Sequence, residues 1–140
     1  MTQRRLGEIV RRQNPATLPS TATVQAACQI MRDRHIGAML ITGADGRLAG
    51  LFTGRDAVGR VLAEALDPRT TPLAAVMTAR PETIGPNAHA IDALRLMQDG
   101  GFRHVPIVDD GRIVGIVSHG DFSGLEHARL DEETGFWEIL

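Results

Sequence analysis

Four short apolar segments along the chain predict buried β-strands. Each consists almost entirely of aliphatic, β-branched or aromatic residues and is bounded by polar residues or by turns containing glycine, as strands buried on both faces are. The segments are 38–41, 48–52, 105–108 and 113–117. A turn of glycine and aspartate joins the first segment to the second and the third to the fourth. We therefore expect two strand pairs.

An amphipathic helix is predicted before each strand pair. Apolar residues recur there at spacings of three and four, which places them on one face of a helix. They are Val24, Ala27, Ile30 and Met31 before the first pair, and Ala90, Ala93, Leu94 and Met97 before the second. Further helical spacing follows the second strand at Val58, Val61, Leu62 and Leu66. It follows the fourth strand at Leu125, Ala128 and Leu130, in a helix that Gly135 interrupts.

These patterns describe one unit that occurs twice. Ala27 and Ala93 are as far apart as Met31 and Met97. A short amphipathic turn at 6–10 corresponds to 73–77, and a short strand at 16–19 corresponds to 82–85. The fold class is therefore α/β (α+β), with two repeats related by pseudo-two-fold symmetry. Each repeat has a small three-stranded mixed sheet with helices packed on one side.

We expect repeat 1 at 6–66, repeat 2 at 72–128 and a docking tail at 129–140, with the turn-rich segment 67–72 as a short connector. A unit of about 60 residues buries too little surface to be comfortably stable alone, so the two repeats are expected to pack together.

Composition excludes several classes of function. A net charge of −2 and a pI near 6.2 provide no electrostatic footprint for nucleic acid. The single Cys28 cannot form an internal disulfide, which favours a core thiol in a reducing compartment. No apolar run approaches the ~18 residues of a membrane span, and the N-terminus lacks a signal-peptide core. We therefore expect a cytoplasmic protein without membrane or nucleic-acid partners.

Candidate chemistry lies where the second strand of each pair ends. A hydroxyl residue is followed three positions later by a carboxylate, as Thr53 and Asp56 in repeat 1 and as Ser118 and Asp121 in repeat 2. Such residues begin helices, and a helix N-terminus with free backbone N–H groups attracts phosphate. They could serve as helix caps alone, but their recurrence after a buried strand in both repeats favours ligand binding.

The residues in this order resemble a known family. A helix ending in Met, the strand RHVPIV (103–108), a turn DDG and the signature GRIVGIVSHGD (111–121) are similar to the cystathionine β-synthase (CBS) domain. Two in tandem resemble a Bateman module, and the resemblance runs from about Leu6 to Ala128. It is weaker in repeat 1, where Leu40 stands in place of the expected proline.

The resemblance implies a regulatory module that binds AMP, ADP or ATP, or else S-adenosylmethionine or NADH, in clefts between the repeats. It implies that Asp56 and Asp121 accept hydrogen bonds from ribose hydroxyls, and that Thr53 and Ser118 hold phosphate. The further phosphate candidates are Arg55, Arg103, His104 and His119. Adenine would lie against Leu18 and Met39 in one site and Ile84 and Val105 in the other, with backbone near Thr17 and Thr83 reading its edge.

The leading hypothesis is a non-enzymatic sensor of cellular energy or metabolite state, with no obligatory cofactor. It would act as a homodimer, as the resemblance implies, and pass its signal to an effector protein in trans. The alternative is an assembly module that dimerises without a ligand. No hydrolase, P-loop or dinucleotide-binding motif is visible, and the five scattered histidines with one cysteine have no metal-site spacing.

Overall fold

The computed structural model describes residues 3–139, and side chains through Asp131. In chain order the elements are α1 (Leu6–Ile9), β1 (Thr17–Pro19), α2 (Val24–Arg34), β2 (Ala38–Thr42), β3 (Leu48–Thr53), α3 (Gly54–Asp56) with a π-helix (Ala57–Leu62), α4 (Leu73–Val76), β4 (Thr78–Ala79), α5 (Ala90–Gly100), β5 (His104–Asp109), β6 (Arg112–Ser118), a 3₁₀ turn (His119–Asp121) and α6 (Gly124–Ile139).

The chain forms two compact units whose limits differ from those of the sequence repeats. One, the continuous unit, is Pro15–Pro81, and the other, the split unit, is Glu82–Leu140 together with Met1–Asn14. The N-terminal segment with α1 thus belongs with the second repeat, and α4 with β4 belongs with the first.

A mixed sheet forms the continuous unit, in the order β1-β2-β3-β4. Strand β1 runs parallel to β2, while β2 with β3 and β3 with β4 are antiparallel, and Ala38 lies opposite Thr53 at the end of the central pair. Helix α2 packs Val24, Ala27 and Met31 into the core against Phe52. The predicted three-stranded mixed sheet is confirmed, and β4 adds a short fourth strand.

The split unit repeats this plan with fewer regular strands. Strands β5 and β6 are antiparallel, and Ile84 forms a single parallel bridge to Ile107 at the position that β1 takes in the continuous unit. Helix α5 buries Ala90, Ala93, Leu94 and Met97, as its period predicts.

Helix α1 completes the core of the split unit. Leu6 and Val10 are buried with residues of α5, β5 and β6, and the Gln13 side chain exchanges two hydrogen bonds with the backbone of Ile116, at 2.7 and 2.8 Å. Gly115 allows this close approach, because a Cβ there would lie 2.7 Å from the Val10 Cβ.

Two helix predictions are wrong in part. The segment after Asp56 is helical, but only Val61 of its predicted apolar face is buried, while Val58 and Leu62 are 62% and 70% exposed. A π-helix turns less per residue than an α-helix, so the predicted face does not hold together. Helix α6 continues through Gly135, which does not interrupt it. Of the expected 129–140 docking tail, Leu130 is buried in the core of the split unit. The side chains after Asp131 lie outside those described.

Candidate ligand site at the strand ends

In the continuous unit, Thr53 and Asp56 form a reciprocal cap where β3 ends. The Thr53 backbone N–H and hydroxyl donate to Asp56 Oδ2 at 3.0 and 3.2 Å, and the Asp56 N–H donates to Thr53 Oγ1 at 3.2 Å. Asp56 is 8% exposed, and its Oδ1 lies 3.6 Å from Arg60 Nε, one helical turn further on. The charge of this buried carboxylate is therefore balanced within the unit.

The split unit has the equivalent arrangement at the end of β6. The Ser118 N–H and hydroxyl donate to Asp121 Oδ2 at 2.6 and 3.2 Å. Asp121 is exposed, and a 3₁₀ turn stands where the continuous unit has a helix. The Asp121 carboxylate is thus the more accessible of the two to a ligand hydroxyl.

The expected supply of free backbone N–H groups is smaller than predicted. The Gly54 N–H donates to the Gly37 carbonyl at 3.1 Å, and the Asp56 N–H to Thr53 Oγ1. In the split unit the His119 N–H donates to the Arg103 carbonyl at 3.0 Å. Anion binding at these strand ends therefore relies on side chains more than the helix-terminus prediction implies. Arg55 lies exposed on α3 beside Asp56.

A basic cluster surrounds Asp121 in the split unit. His104 lies opposite Ser118 in the strand register, and the His119 and His127 rings lie 4.4 Å apart between centroids. Burial lowers the pKa of His104, the neighbouring Arg103 lowers it further, and the Asp121 carboxylate opposes both. Partial desolvation, His127 and Arg103 lower the pKa of His119. Arg103 is a potential donor to an anionic ligand, as are the His104 and His119 imidazoles, whose lowered pKa values favour the neutral form.

The residues predicted to contact adenine divide into two groups. Met39 and Val105 are 0% exposed within the core clusters, and the contact of their side chains with adenine stays a prediction. The others are exposed or half-buried near the sheets: Thr17, Leu18, Thr83 and Ile84.

The sequence prediction missed four residues that shape these sites. Arg60 follows Asp56 at the i+4 spacing typical of helical ion pairs, so a search for pairing partners could have found it. The His127 ring is tilted by 42° against the His119 ring, and its Nε2 lies 3.1 Å from the His119 carbonyl oxygen. Arg4 and Glu126 bind each other at 2.6 Å beside Asp121, and their separation along the chain left no signal.

Among the described side chains, those of residues 3–131, no cluster of three or more His, Cys, Asp or Glu is arranged to hold a metal ion. Over residues 3–139, no helix combines the length and apolar character needed to cross a membrane.

Comparison with known proteins agrees with this architecture. The sequence pattern of the CBS domain matches residues 6–63 and 73–126. Hypoxic response protein 1 of Mycobacterium tuberculosis is 38% identical over 101 residues, which cover 72% of this chain and 71% of that protein. The CBS domain-containing protein CBSCBSPB1 of Arabidopsis thaliana is 35% identical over 101 residues, but these make up only 19% of its length.

A solved structure extends the similarity to three dimensions. The CBS domain protein of Pyrobaculum aerophilum complexed with AMP superimposes with a TM-score of 0.81 at 26% identity, covering 90% of this chain and 97% of that one. Two matched segments, a relative similar over most of its length and the shared fold agree, and the chain belongs to the CBS domain family, of which it carries two domains in tandem.

Proposed function

We propose that the protein is a non-enzymatic regulatory module that binds an adenosine-type nucleotide at one or both strand-end sites and senses cellular energy or metabolite state. One observation carries the proposal: the same hydroxyl and carboxylate pair stands at the same strand end in both units. The AMP in the Pyrobaculum relative supports an adenine nucleotide as the ligand class.

In this proposal, each carboxylate accepts hydrogen bonds from the vicinal hydroxyls of a ribose, as a carboxylate with two oxygens can. The hydroxyl of Thr53 or Ser118 turns from its aspartate to donate to phosphate, because it carries a single proton. Arg55 serves the continuous unit, and Arg103, His104 and His119 serve the split unit. Leu18 and Ile84 are the more accessible apolar candidates for adenine, and the buried Met39 and Val105 remain candidates. The signal passes to a partner protein, and the active form is a homodimer.

A nucleotide panel tests the proposal. We expect AMP, ADP, ATP, S-adenosylmethionine or NADH to raise the melting temperature, since a ligand at 100 times its Kd adds about 2.7 kcal/mol to the free energy of unfolding. Asp121→Ala should weaken binding by about 1.5–3 kcal/mol. The matched control is Asp99→Ala, which removes an exposed carboxylate from α5. No melting shift with any of these ligands at millimolar concentration would refute the proposal.

The second candidate function is ligand-independent assembly of two copies of this chain. The exposure of Val58 and Leu62 favours it, because large apolar side chains next to each other on one helix are typical of contact surfaces. It predicts a dimer by light scattering whose mass is unchanged by nucleotides and by combined Asp56→Ala and Asp121→Ala. A dimer that binds nucleotide through these carboxylates would favour the sensor instead.

A further inference from the structure

Arg4 connects the N-terminal segment to the turn that carries Asp121. Its guanidinium donates two hydrogen bonds to the Glu126 carboxylate, from Nη2 to Oε1 at 2.6 Å and from Nε to Oε2 at 3.1 Å. Nη2 also donates to the backbone carbonyl of Asp121 at 3.3 Å. A two-point pair of this kind fixes orientation as well as distance.

The Glu126 carboxylate is itself held in place. Its Oε1 accepts the Ser123 N–H at 2.7 Å, and the Glu126 N–H donates to Ser123 Oγ at 3.3 Å, which together cap α6. The Arg4 hydrogen bond lowers the pKa of Glu126, which favours the charged carboxylate that the pair requires. The Glu126 side chain is 16% exposed and the Arg4 side chain 43%, so the pair is partly shielded from solvent.

Arg4 is equally fixed on its own side. Its carbonyl accepts the Ala90 N–H at 3.0 Å, and the Leu6 N–H donates to the Ala88 carbonyl at 2.8 Å. The first turn of α5 therefore anchors the backbone on which Arg4 stands. The turn 118–126 is then held at both ends: by the Ser118 cap on Asp121 at one end, and by Arg4 with Glu126 and Ser123 at the other.

In the continuous unit, the arginine beside the carboxylate comes from the same helical segment. There Arg60 stands four residues after Asp56 and lies against its carboxylate. The corresponding position in the split unit is Leu125, which is 72% exposed and carries no charge. The split unit thus takes its arginine from the distant N-terminal segment.

We propose that Arg4 is a positioning residue for the ligand site of the split unit, and that ligand binding at Asp121 and attachment of the N-terminal segment stabilise each other. This inference rests on the proposed function for the ligand and deepens it by naming a regulatory connection. Coupling of this kind is reciprocal. Any change that detaches residues 3–10 must weaken ligand binding, and ligand binding must stabilise the attachment of those residues.

An AMP titration tests the positioning role. In an Asp56→Ala background, calorimetry reports AMP binding by the Asp121 site alone. We expect Arg4→Ala to raise the Kd about 2- to 30-fold. Arg4→Lys, which keeps the charge but not the two-point geometry, should recover part of the loss.

Arg11→Ala is the matched control, because it removes an exposed arginine from the same segment. With Asp121→Ala also present, Arg4→Ala should have no further effect. An equal loss with Arg11→Ala, or an undiminished loss without Asp121, overturns the proposal.

Hydrogen exchange separates this inference from the proposed function. The Ser118 amide donates to Asp121 Oδ2, so its exchange reports the order of the turn without any ligand. Arg4→Ala should speed that exchange, and Arg11→Ala should not. If no nucleotide binds the wild-type protein, the proposed function fails while the exchange result still decides whether Arg4 orders the turn. Unchanged exchange overturns the inference, as does faster exchange with unchanged affinity at a site that binds AMP.

Discussion

Two aspartates in the same motif have different surroundings. Asp56 is buried and faces Arg60, whereas Asp121 is exposed at the end of a 3₁₀ turn. The sequence motif alone therefore does not show whether its carboxylate mainly stabilises the fold or remains accessible to a ligand.

We expect Asp56→Ala to destabilise the protein more than Asp121→Ala. The first change removes a buried cap and the carboxylate that faces Arg60, whose guanidinium keeps its hydrogen bonds to the Val76 and Met77 carbonyls. It should lower the free energy of unfolding by about 1–3 kcal/mol. The second removes a cap in solvent, for which about 0.5–1 kcal/mol is typical. Urea unfolding at pH 7 measures both. Equal losses would contradict the difference in burial.

His104 should make the stability depend on pH. Its pKa is lowered in the folded state, mainly by burial, so below its unfolded value near 6.5 the unfolded chain binds more protons than the folded one. The contribution of neutral His104 is thus fully present above pH 6.5 and is lost as the pH falls towards the folded pKa.

Urea midpoints between pH 7.5 and 5.5 test this sign. The wild-type protein should lose stability on acidification, and His104→Gln should lose less. His35→Asn, which removes an exposed imidazole at a left-handed position that Asn tolerates, should retain the wild-type slope. A His104→Gln profile parallel to that of the wild type would contradict the assignment.

At the scale of elements, packing of α1 against β6 depends on one glycine. A Cβ on Gly115 would lie 2.6 Å from Gln13 Oε1 and 2.7 Å from Val10 Cβ, and the latter is fixed close to the backbone. Gly115→Ala should therefore cost about 1–3 kcal/mol of stability. Gly59→Ala is the matched control: its Cβ meets nothing within 4 Å, so a neutral to slightly stabilising effect is expected. Thermal melts compare the two, and equal stability of the Gly115→Ala and Gly59→Ala proteins would show that α1 shifts freely.

Strands and amphipathic helices were predictable because their signal is local. Segment 105–108 lies within β5, and the face of α5 is buried at all four predicted positions. The Thr53 and Asp56 contact was equally predictable, since its partners are only three positions apart along the chain. Exposure of Leu62 was not, because it follows from π-helical winding and not from spacing. The Arg4 and Glu126 pair lies 122 positions apart, beyond any local pattern.

For the whole molecule, two leucines at corresponding repeat positions should protect different units. Leu6 and Leu73 are both 0% exposed, Leu6 in the core of the split unit and Leu73 in that of the continuous unit. We expect Leu6→Ala to reduce hydrogen-exchange protection in β5 and β6 by about 2–5 kcal/mol, and Leu73→Ala to do so in β2 and β3. Loss of protection in the same strands for both variants would contradict the division into units.

Because the split unit consists of two separate segments of the chain, its two parts become available for folding at different times during synthesis. Residues 1–14 leave the ribosome before the continuous unit, yet the strands that cover Leu6 and Val10 are made after it. The continuous unit has all its residues early and can fold in the meantime, replacing a flexible loop by a compact insertion. Closing the split unit then costs less chain entropy than closing the same loop unfolded. Folding of the insertion before the split unit closes is therefore the route with the smaller loss of chain entropy.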